Sequence, residues 1–271
     1  MNSSHKIEVN DVGHGLSIHI NTSNDRLIVI DMGANENGSP LALSSFFEPI
    51  DLLIITHPHK DHIRDIVNLR RLPFNLDAPR GLNVEELIEK AKPEDKNIFR
   101  KYKALLTHLP EKNLSLSNMR LAELDGLDIK IFRANLGSCS NLNNLSSVTT
   151  LSFEGRKVVI CGDNEHESIQ KLLGQYNFRR AVSGADILIA PHHGRASGFH
   201  SDFVNLVSPK LTIISDTSKV DTSAQSRYSA LSKGMQVYNC CKHEKCFRKC
   251  LSTRNDGSIE ILLKDSLEVF I

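Results

Sequence analysis

Four potential metal ligands lie within six residues of this chain, directly after a short apolar run. The run, residues 50–55, is rich in β-branched side chains and predicts a buried strand. The ligands that follow it are His57, His59, Asp61 and His62. Imidazole nitrogens and carboxylate oxygens suit zinc, manganese or iron. The sequence therefore predicts a compact metal cage at the end of this strand.

The spacing of these ligands predicts two bound ions rather than one. In an extended chain His57 and His59 point the same way, because side chains alternate with a period of two residues. Asp61 and His62 come after the chain turns, so they face a second point. We expect two divalent cations, zinc or manganese. The alternative is a loop of surface histidines, but the complete motif behind an apolar strand favours the metal site.

Three further apolar runs end in an acid or a histidine pair. The first ends in Asp31, the second in Asp163, and the third in His192 and His193. A glycine precedes Asp163 and permits a tight approach of the backbone. Each of these residues alone would more often be a turn residue or a helix cap. Their shared position at strand ends makes them candidates for the same site.

Together these motifs resemble those of the metallo-β-lactamase superfamily. The resemblance implies that Asp31 orients a ligand histidine by accepting its free N–H, that Asp163 bridges both ions, and that His192 or His193 completes the second ion. It also implies an α/β fold, the four-layer αβ/βα sandwich, with residues 1–271 as a single domain. The implied metal ligands are His57, His59, Asp61, His62, Asp163, His192 and His193.

Two shorter segments resemble one branch of the superfamily. Residues 11–20 are similar to the opening of the metallo-hydrolase domain of ComEC/Rec2 competence proteins, and residues 143–148 are similar to its Asn-x-x-Ser-x-Val segment. The resemblance spans about residues 7–263 of the chain. It implies a stand-alone relative of that domain, which is associated with DNA degradation.

The sequence departs from the superfamily pattern at one ligand. Most members have another metal-binding histidine between the first motif and Asp163, but residues 141–148 contain none. The competence branch usually lacks it too. Asn144 and Ser147 are candidates to support the site here, and water is the other candidate. His14 replaces a glutamine that is common in the branch, and it either reaches the site or occupies a turn.

Composition sets the remaining bounds. The 271 residues are enough for one large α/β domain, and 40% hydrophobic with 24% charged residues is ordinary for a soluble protein. The formal net charge of +1 gives no global attraction to nucleic acid. No apolar run approaches the ~20 residues of a membrane span. Residues 1–6 show no signal-peptide pattern. We therefore expect a cytoplasmic protein without a membrane partner; its oligomeric state is left open.

The chain has six cysteines, four of them crowded into residues 240–250. Their spacing does not match a standard pair of zinc knuckles, and disulfides are unusual in cytosolic enzymes. A structural zinc ion is one interpretation of this cluster. Free thiols in a hairpin loop are the other, and the one that we favour.

Two bound ions explain hydrolysis, because they bring the pKa of a water near neutrality and polarise the scissile group. The candidate catalytic acids are Asp61, which handles a proton in other subfamilies, and Asp163, which holds the ions apart. The metal chemistry does not choose among amide, ester, thioester and phosphodiester substrates.

We predict a phosphodiesterase or nuclease that acts on DNA. The resemblance supports this, and so does a basic stretch near the C-terminal strands that includes Lys249 and Arg254. Ser197 lies in a loop of small residues expected on the substrate side. The alternatives are a solvated basic face, a hydrolase of a lactone, thioester or cyclic nucleotide, and a metal-bound binding module without turnover.

The hydrophobic pattern alternates between strands and helices throughout. Helices are predicted over residues 63–71, 83–109 with a break at Pro93, 165–173, 201–207 and 228–233. Strands are predicted near residues 6–10, 16–20, 27–31, 51–55, 127–133, 147–153, 157–161, 186–190, 211–215, 236–239, 248–253 and 258–263.

Overall fold

The computed structural model describes residues 4–35, 38–43, 50–109, 124–137, 140–217 and 223–271. Its strands, in chain order, are β1 (His5–Val9), β2 (Ser17–Asn21), β3 (Leu27–Met32), β4 (Leu52–Ile54), β5 (Asn75–Asp77), β6 (Asp128–Arg133), β7 (Ser147–Phe153), β8 (Arg156–Ile160), β9 (Ile187–Ile189), β10 (Leu211–Ile214), β11 (Met235–Asn239), β12 (Glu244–Arg248), β13 (Cys250–Ser252), β14 (Ile259–Leu263) and β15 (Leu267–Phe270).

The α-helices of the same residues are α1 (Pro40–Leu43), α2 (Lys60–Ile63), α3 (Val84–Lys90), α4 (Lys96–His108), α5 (His166–Leu173), α6 (Tyr176–Val182), α7 (Ser201–Val207), α8 (Gln225–Leu231) and α9 (Thr253–Asp256). Short 3-10 helices cover Arg64–Asn68, Leu142–Leu145 and Pro191–Gly194. As Pro93 predicts, the helical stretch after residue 83 is divided into α3 and α4.

The strands form two sheets. One has nine strands in the order β12-β11-β15-β14-β1-β2-β3-β4-β5, and the other has six in the order β13-β10-β9-β8-β7-β6. Within the first sheet, β3, β4 and β5 run parallel. Within the second, β8, β9, β10 and β13 run parallel. The carboxyl ends of parallel neighbours meet at one edge of a sheet, and in open α/β sheets that edge is where ligands bind.

Apolar side chains fill three layers that the two sheets separate. Side chains alternate between the faces of a strand: Ile28 and Ile30 of β3 join the cluster between the sheets, whereas Val29 joins the cluster beneath α4. On β8, Val158 lies between the sheets and Val159 packs among residues of α5, α6 and α7. Covering both faces explains why these strands are continuously apolar. The order helix, sheet, sheet, helix confirms the predicted αβ/βα sandwich.

The chain after the histidine motif differs from the predicted secondary structure. In place of one helix over residues 63–71, α2 is followed by the 3-10 helix Arg64–Asn68. Asp65 is buried there, and its carboxylate accepts a hydrogen bond from the backbone N–H of Leu41 at 2.9 Å. This long-range attachment holds the turn to α1, and hydrophobic periodicity does not register it.

The sequence predicts one strand over residues 248–253, but the chain changes sheets within them. β12 is the edge strand of the nine-stranded sheet, and β13 is the edge strand of the six-stranded sheet. A single apolar pattern does not tell which sheet a residue joins. The strands β5 and β15 and the helix α6 are further elements that the sequence did not predict.

The cysteine-rich segment contains the turn of the β11–β12 hairpin and continues through β12 to the first residue of β13. Cys240 and Cys241 are exposed at its turn, and Cys246 and Cys250 are also free thiols. In the part of the chain that is described, no group of metal ligands contains a cysteine. Cys139 lies outside the described residues. None of the described helices has the length and apolar character that crossing a membrane requires.

Candidate metal centre

The histidines and acids of the candidate site meet at the carboxyl edge of both sheets. The motif that contains His57 follows β4, and Asp31 lies at the end of β3 in the same sheet. Across the core, Asp163 follows β8, and the pair His192 and His193 follows β9. The sandwich closes these strand ends onto one another, so residues far apart in sequence share one buried pocket.

One ligand group combines residues from both sheets. Oδ2 of Asp61 lies 3.3 Å from Nε2 of His193, and Nε2 of His62 lies 3.1 Å from Oδ1 of Asp163. The two Nε2 atoms of His62 and His193 are 3.3 Å apart. Four ligands placed about 2.0–2.1 Å from one tetrahedral ion lie about 3.3 Å from one another. The spacing of these four groups therefore fits a divalent cation.

A second group contains His57, His59 and again Asp163, with ligand atoms within 4.8 Å of one another. Nε2 of His57 lies 3.8 Å from Oδ2 of Asp163. Asp163 is thus common to both groups, and it is almost fully buried. A carboxylate has two oxygens, so it can serve two ions at once. The structure thus brings His57 and His59 into one group and Asp61 and His62 into the other, and the number of bound ions stays a prediction.

Asp31 supports ligands of both groups from beneath. Its Oδ2 accepts hydrogen bonds from Nδ1 of His62 and from Oγ1 of Thr56, each at 2.6 Å, and its Oδ1 accepts from the backbone N–H of Thr56 at 2.7 Å. Oγ1 of Thr56 in turn lies 3.2 Å from Nδ1 of His57. With Nδ1 held in this way, each ring presents Nε2 to the pocket.

His193 is held in the same manner by the other sheet. Its Nδ1 donates to the backbone oxygen of Ser215 at 2.9 Å, just after β10. His193 and its neighbour His192 both adopt left-handed backbone, with φ values of 53° and 49°. Non-glycine residues rarely adopt this conformation, and when they do it is often at functional sites, where surrounding contacts hold the strain.

The turn that carries Asp163 depends on close packing around Gly162. Gly162 has φ +52°, and a Cβ there would lie 2.8 Å from Cβ of Thr56. The backbone N–H of Asp163 donates to Oγ of Ser146 at 3.0 Å. The turn is therefore fixed against both the histidine motif and the start of β7.

The ionisation states of the acids and histidines in the pocket depend strongly on one another. Burial disfavours the ionised form of Asp163, but His193 and His62 outweigh burial and hold its pKa well below the ordinary value. Conversely, burial disfavours the imidazolium of His193, but Asp163 and Asp61 outweigh it and raise the pKa to about 9. The pKa of His62 is raised in the same way by Asp163 and Asp31. The acids are thus built to face positive charge, which a bound cation supplies in place of these protons.

Of the two residues expected to replace the missing histidine, Asn144 makes its hydrogen bonds at the start of α5. The side-chain oxygen of Asn144 accepts from the backbone N–H of Glu165 at 3.1 Å and from Oγ of Ser168 at 2.9 Å, so it braces the start of α5. Oγ of Ser147 is buried, and none of the described residues gives it a hydrogen-bond partner. The serine that supports the Asp163 turn is its neighbour Ser146, which the sequence did not single out.

The predicted substrate contacts are spread over a wider area. Arg254 follows β13 at the edge where the site lies and pairs with Asp216 at 3.6 Å. Lys249 is exposed and precedes β13, so it lies at the opposite end of that strand. Oγ of Ser197 lies 2.8 Å from Nδ1 of His192, which places this serine beside a candidate ligand.

His14 reaches the site and brings a second residue that sequence reasoning missed. Its Nε2 lies 3.4 Å from Oδ2 of Asp61 and 3.2 Å from a terminal nitrogen of Arg195. Burial and the neighbouring His193 lower the pKa of His14 to about 4, so the ring is neutral at pH 7 and can accept from Arg195. The sequence held one signal for Arg195: it comes two residues after the candidate ligand His193.

Comparison of the sequence with known protein families agrees with this geometry. The family model described as the metallo-beta-lactamase superfamily matches residues 10–215. The chain belongs to the metallo-β-lactamase superfamily. The matched span contains both ligand groups. Members of the metallo-β-lactamase superfamily are in general metal-dependent hydrolases, and this chain has the His/Asp cluster that such chemistry requires.

Within the superfamily, the sequence identity between this chain and an individual relative is low. It is 21% identical to ComE operon protein 3 of Bacillus subtilis (strain 168) over 241 residues, which are 79% of this chain and 29% of that protein. The chain thus spans less than a third of that relative, and the similarity agrees with the resemblance to the competence branch.

Solved structures share the fold at low identity. The metallo-beta-lactamase fold protein YhfI of Bacillus subtilis has a TM-score of 0.50 at 12% identity and covers 94% of this chain and 98% of its own. A long form RNase Z from yeast has a TM-score of 0.51 at 11% identity, over 95% of this chain and 42% of its own. Zn(2+)-bound PqqB of Methylobacterium extorquens has a TM-score of 0.51 at 11% identity, over 96% of this chain and 99% of its own.

Proposed function

We propose that this protein is a metal-dependent phosphodiesterase or nuclease that acts on DNA. The observation that carries the proposal is the pair of ligand groups that share Asp163. Two divalent cations bound there, zinc or manganese, would supply a nucleophilic hydroxide at neutral pH and neutralise charge on the scissile group. The protein's own residues then have to bind, orient and desolvate the substrate.

Asp61 and Asp163 are the proposed catalytic acids. Asp163 is buried between the two groups and keeps their ligands in a fixed relation. Asp61 is less buried, and its Oδ2 lies near both His14 and His193, at the open side of the pocket. An ionised carboxylate in this position can take up the proton of an attacking water.

Arg195 is the feature that favours an anionic substrate. Its guanidinium contacts His14 beside Asp61, and its Nε is buried without a hydrogen-bond partner among the described residues. A guanidinium presents several donors in a planar fork that matches phosphate oxygens. Arg254 lies on the same carboxyl edge and can contact a neighbouring phosphate. We infer that Arg195 binds the scissile phosphate.

The printed descriptions of two relatives also favour nucleic acid. One is a protein of the ComE operon, and another, of similar fold, is an RNase Z. Neither identifies the substrate of this chain. The alternatives remain a small-molecule hydrolase acting on a lactone, thioester or cyclic nucleotide, and a metal-bound binding module without turnover.

A panel of substrates tests the proposal. The protein loaded with manganese or zinc is assayed on bis(p-nitrophenyl) phosphate, a labelled DNA strand, a lactone, a thioester and a cyclic nucleotide, with Asp163→Asn as the inactive control. We expect wild-type cleavage of the acyclic phosphodiesters and none by the variant. Turnover confined to the lactone, thioester or cyclic nucleotide would move the assignment to the small-molecule class. Bound metal with no turnover would favour the binding module.

A further inference from the structure

The ligand group around His57 has one protein ligand fewer than the group around Asp61. It has two imidazoles and one oxygen of Asp163, whereas the group around Asp61 has four ligands. Four is the usual number of ligands for zinc, and in catalytic sites protein supplies three of them while water or substrate takes the fourth position. The fourth position of this group is therefore open to water or to a further side chain. Asn144 does not fill the place, because its side-chain oxygen braces the start of α5.

His192 lies beside this gap. It is buried, and its Nε2 is 4.0 Å from Oδ2 of Asp163, the oxygen that also faces His57. Its backbone is left-handed, with φ 49° and ψ 51°, and its N–H donates to the backbone oxygen of Gly162 at 2.9 Å. Because His193 is left-handed as well, the two rings diverge, with centroids 6.1 Å apart.

The ring of His192 is oriented as a ligand would be. Its Nδ1 lies 3.1 Å from Oε1 of Glu165 and 2.8 Å from Oγ of Ser197. An ionised carboxylate only accepts hydrogen bonds, so Nδ1 carries the proton and Nε2 presents its lone pair towards Asp163. The Nδ1 atoms of His57, His62 and His193 are held by oxygen partners in the same way.

Glu165 is itself held in place. The side-chain amides of Asn141 and Asn143 donate to its two carboxylate oxygens, each at 2.9 Å. These asparagines belong to residues 141–148, the segment in which other superfamily members carry the missing histidine. The segment therefore contributes to the site through Glu165, which orients His192.

We propose that His192 is the third imidazole of the ion bound by His57 and His59, while its neighbour His193 binds the other ion. The assignment rests on the two-ion site of the proposed function. It gives the adjacent histidines to different ions, and it makes Glu165 a positioning residue. His192 is not among the ligand atoms that already lie within 4.8 Å of one another in this group, so binding requires its Nε2 to move towards His57, His59 and Asp163.

Metal stoichiometry tests the assignment without relying on turnover. The matched pair is His192→Asn and His193→Asn, because asparagine tolerates left-handed backbone and both positions need it. Each variant is combined with His57→Ala, and the two are combined with each other. Cobalt bound by the full-length protein is counted after dialysis, and circular dichroism of each metal-free variant checks that it folds.

We expect two ions on the wild type and one on each single variant. His57→Ala with His192→Asn should still hold one ion, since both changes remove the same site. His57→Ala with His193→Asn should hold none, and so should the two asparagine changes together. Two tightly bound ions on His192→Asn would overturn the assignment, as would one ion on the wild type or the reverse pattern in the double variants.

A second variant separates orientation from ligation. Glu165→Gln should weaken binding of the ion shared with His57 by about 10–100-fold, while Glu89→Gln, an exposed change on α3, should leave both affinities unchanged. Equal effects of the two glutamate variants would contradict the role of Glu165. If the expected stoichiometry appears without hydrolysis of any substrate, the proposed function fails while the ligand assignment stands.

Discussion

Oδ2 of Asp31 and Nδ1 of His62 lie 2.6 Å apart in a fully buried contact. The same carboxylate accepts from Thr56, whose hydroxyl adjoins His57. Asp31 thus orients one histidine of each ligand group. Its own backbone is left-handed, with φ 59°, which fixes the direction of the carboxylate at the end of β3.

Asp31→Asn should weaken metal binding by about 10–100-fold, because the amide places a donor against groups that already donate. Asparagine tolerates the left-handed backbone of this position, so the substitution changes the hydrogen bonds and not the backbone. Calorimetric titration with zinc measures the change. Asp186→Asn is the control: that acid is buried, but it accepts a hydrogen bond from the backbone N–H of Lys157 and pairs with the ammonium of Lys210, away from the site. A similar loss of affinity in both variants would contradict the account.

Gly162→Ala should both destabilise the protein and weaken metal binding. The added Cβ would meet the side chain of Thr56 at 2.8 Å and displace the turn that carries Asp163. Gly155→Ala is the matched control, because Gly155 also has a positive φ, 74°, but has no atom within 4 Å of the added Cβ. We expect Gly162→Ala to lower the free energy of unfolding by about 1–3 kcal/mol more than the control does. Urea denaturation measures the difference, and equal losses would be inconsistent with it.

Arg195→Ala should reduce kcat/KM for a phosphodiester by roughly 10–100-fold, since a hydrogen bond to a charged group contributes about 1.5–3 kcal/mol. Arg195→Lys should recover only part of the activity, because lysine keeps the charge but not the planar fork. A neutral ester should be affected far less. Arg180→Ala, an exposed change on α6, serves as the control. An undiminished rate for Arg195→Ala on the phosphodiester would remove this residue from the substrate site.

The metal-free protein should lose stability as the pH rises above neutrality. The pKa of His193 is raised from 6.5 to about 9, with His62 raised as well, so the stabilisation from their protonated forms is complete below pH 6.5 and is lost as the pH passes 9. The raised pKa of His193 contributes at most about 3 kcal/mol to the free energy of unfolding. Denaturation in a chelator at pH 6 and at pH 9.5 measures it. Constant stability over that interval would show that these imidazoles are not protonated in the folded protein.

Much of the site could be predicted from the sequence, because the ligands follow strongly apolar strands. The motif around His57 and the acid at Asp163 each come directly after a buried strand, and parallel strands bring such ends to one edge. Their identities as metal ligands stay predictions, but the geometry places them together. The fold class was predictable for the same reason, since continuously apolar strands alternate with amphipathic helices.

Contacts between distant segments could not be predicted in this way. The roles of Ser146 and Glu165 depend on how the turn before β7 packs against α5, and no local pattern encodes that packing. His14 and Arg195 are 181 positions apart in the chain and meet only because the two sheets close over the core. Conversely, Asn144 was selected by resemblance to a segment, and resemblance does not show that its side-chain oxygen accepts hydrogen bonds at the start of α5. The role of Ser147 stays a prediction.

The most direct test of the account is manganese-dependent cleavage of labelled single- and double-stranded DNA by the purified protein, beside the double variant His59→Ala, Asp61→Ala. That variant removes one ligand from each group. We predict cleavage by the wild type, its loss in a chelator, and none by the variant. Absence of cleavage by the wild type with manganese, zinc and magnesium would contradict the proposed nuclease, and equal cleavage by both proteins would place the activity outside this site.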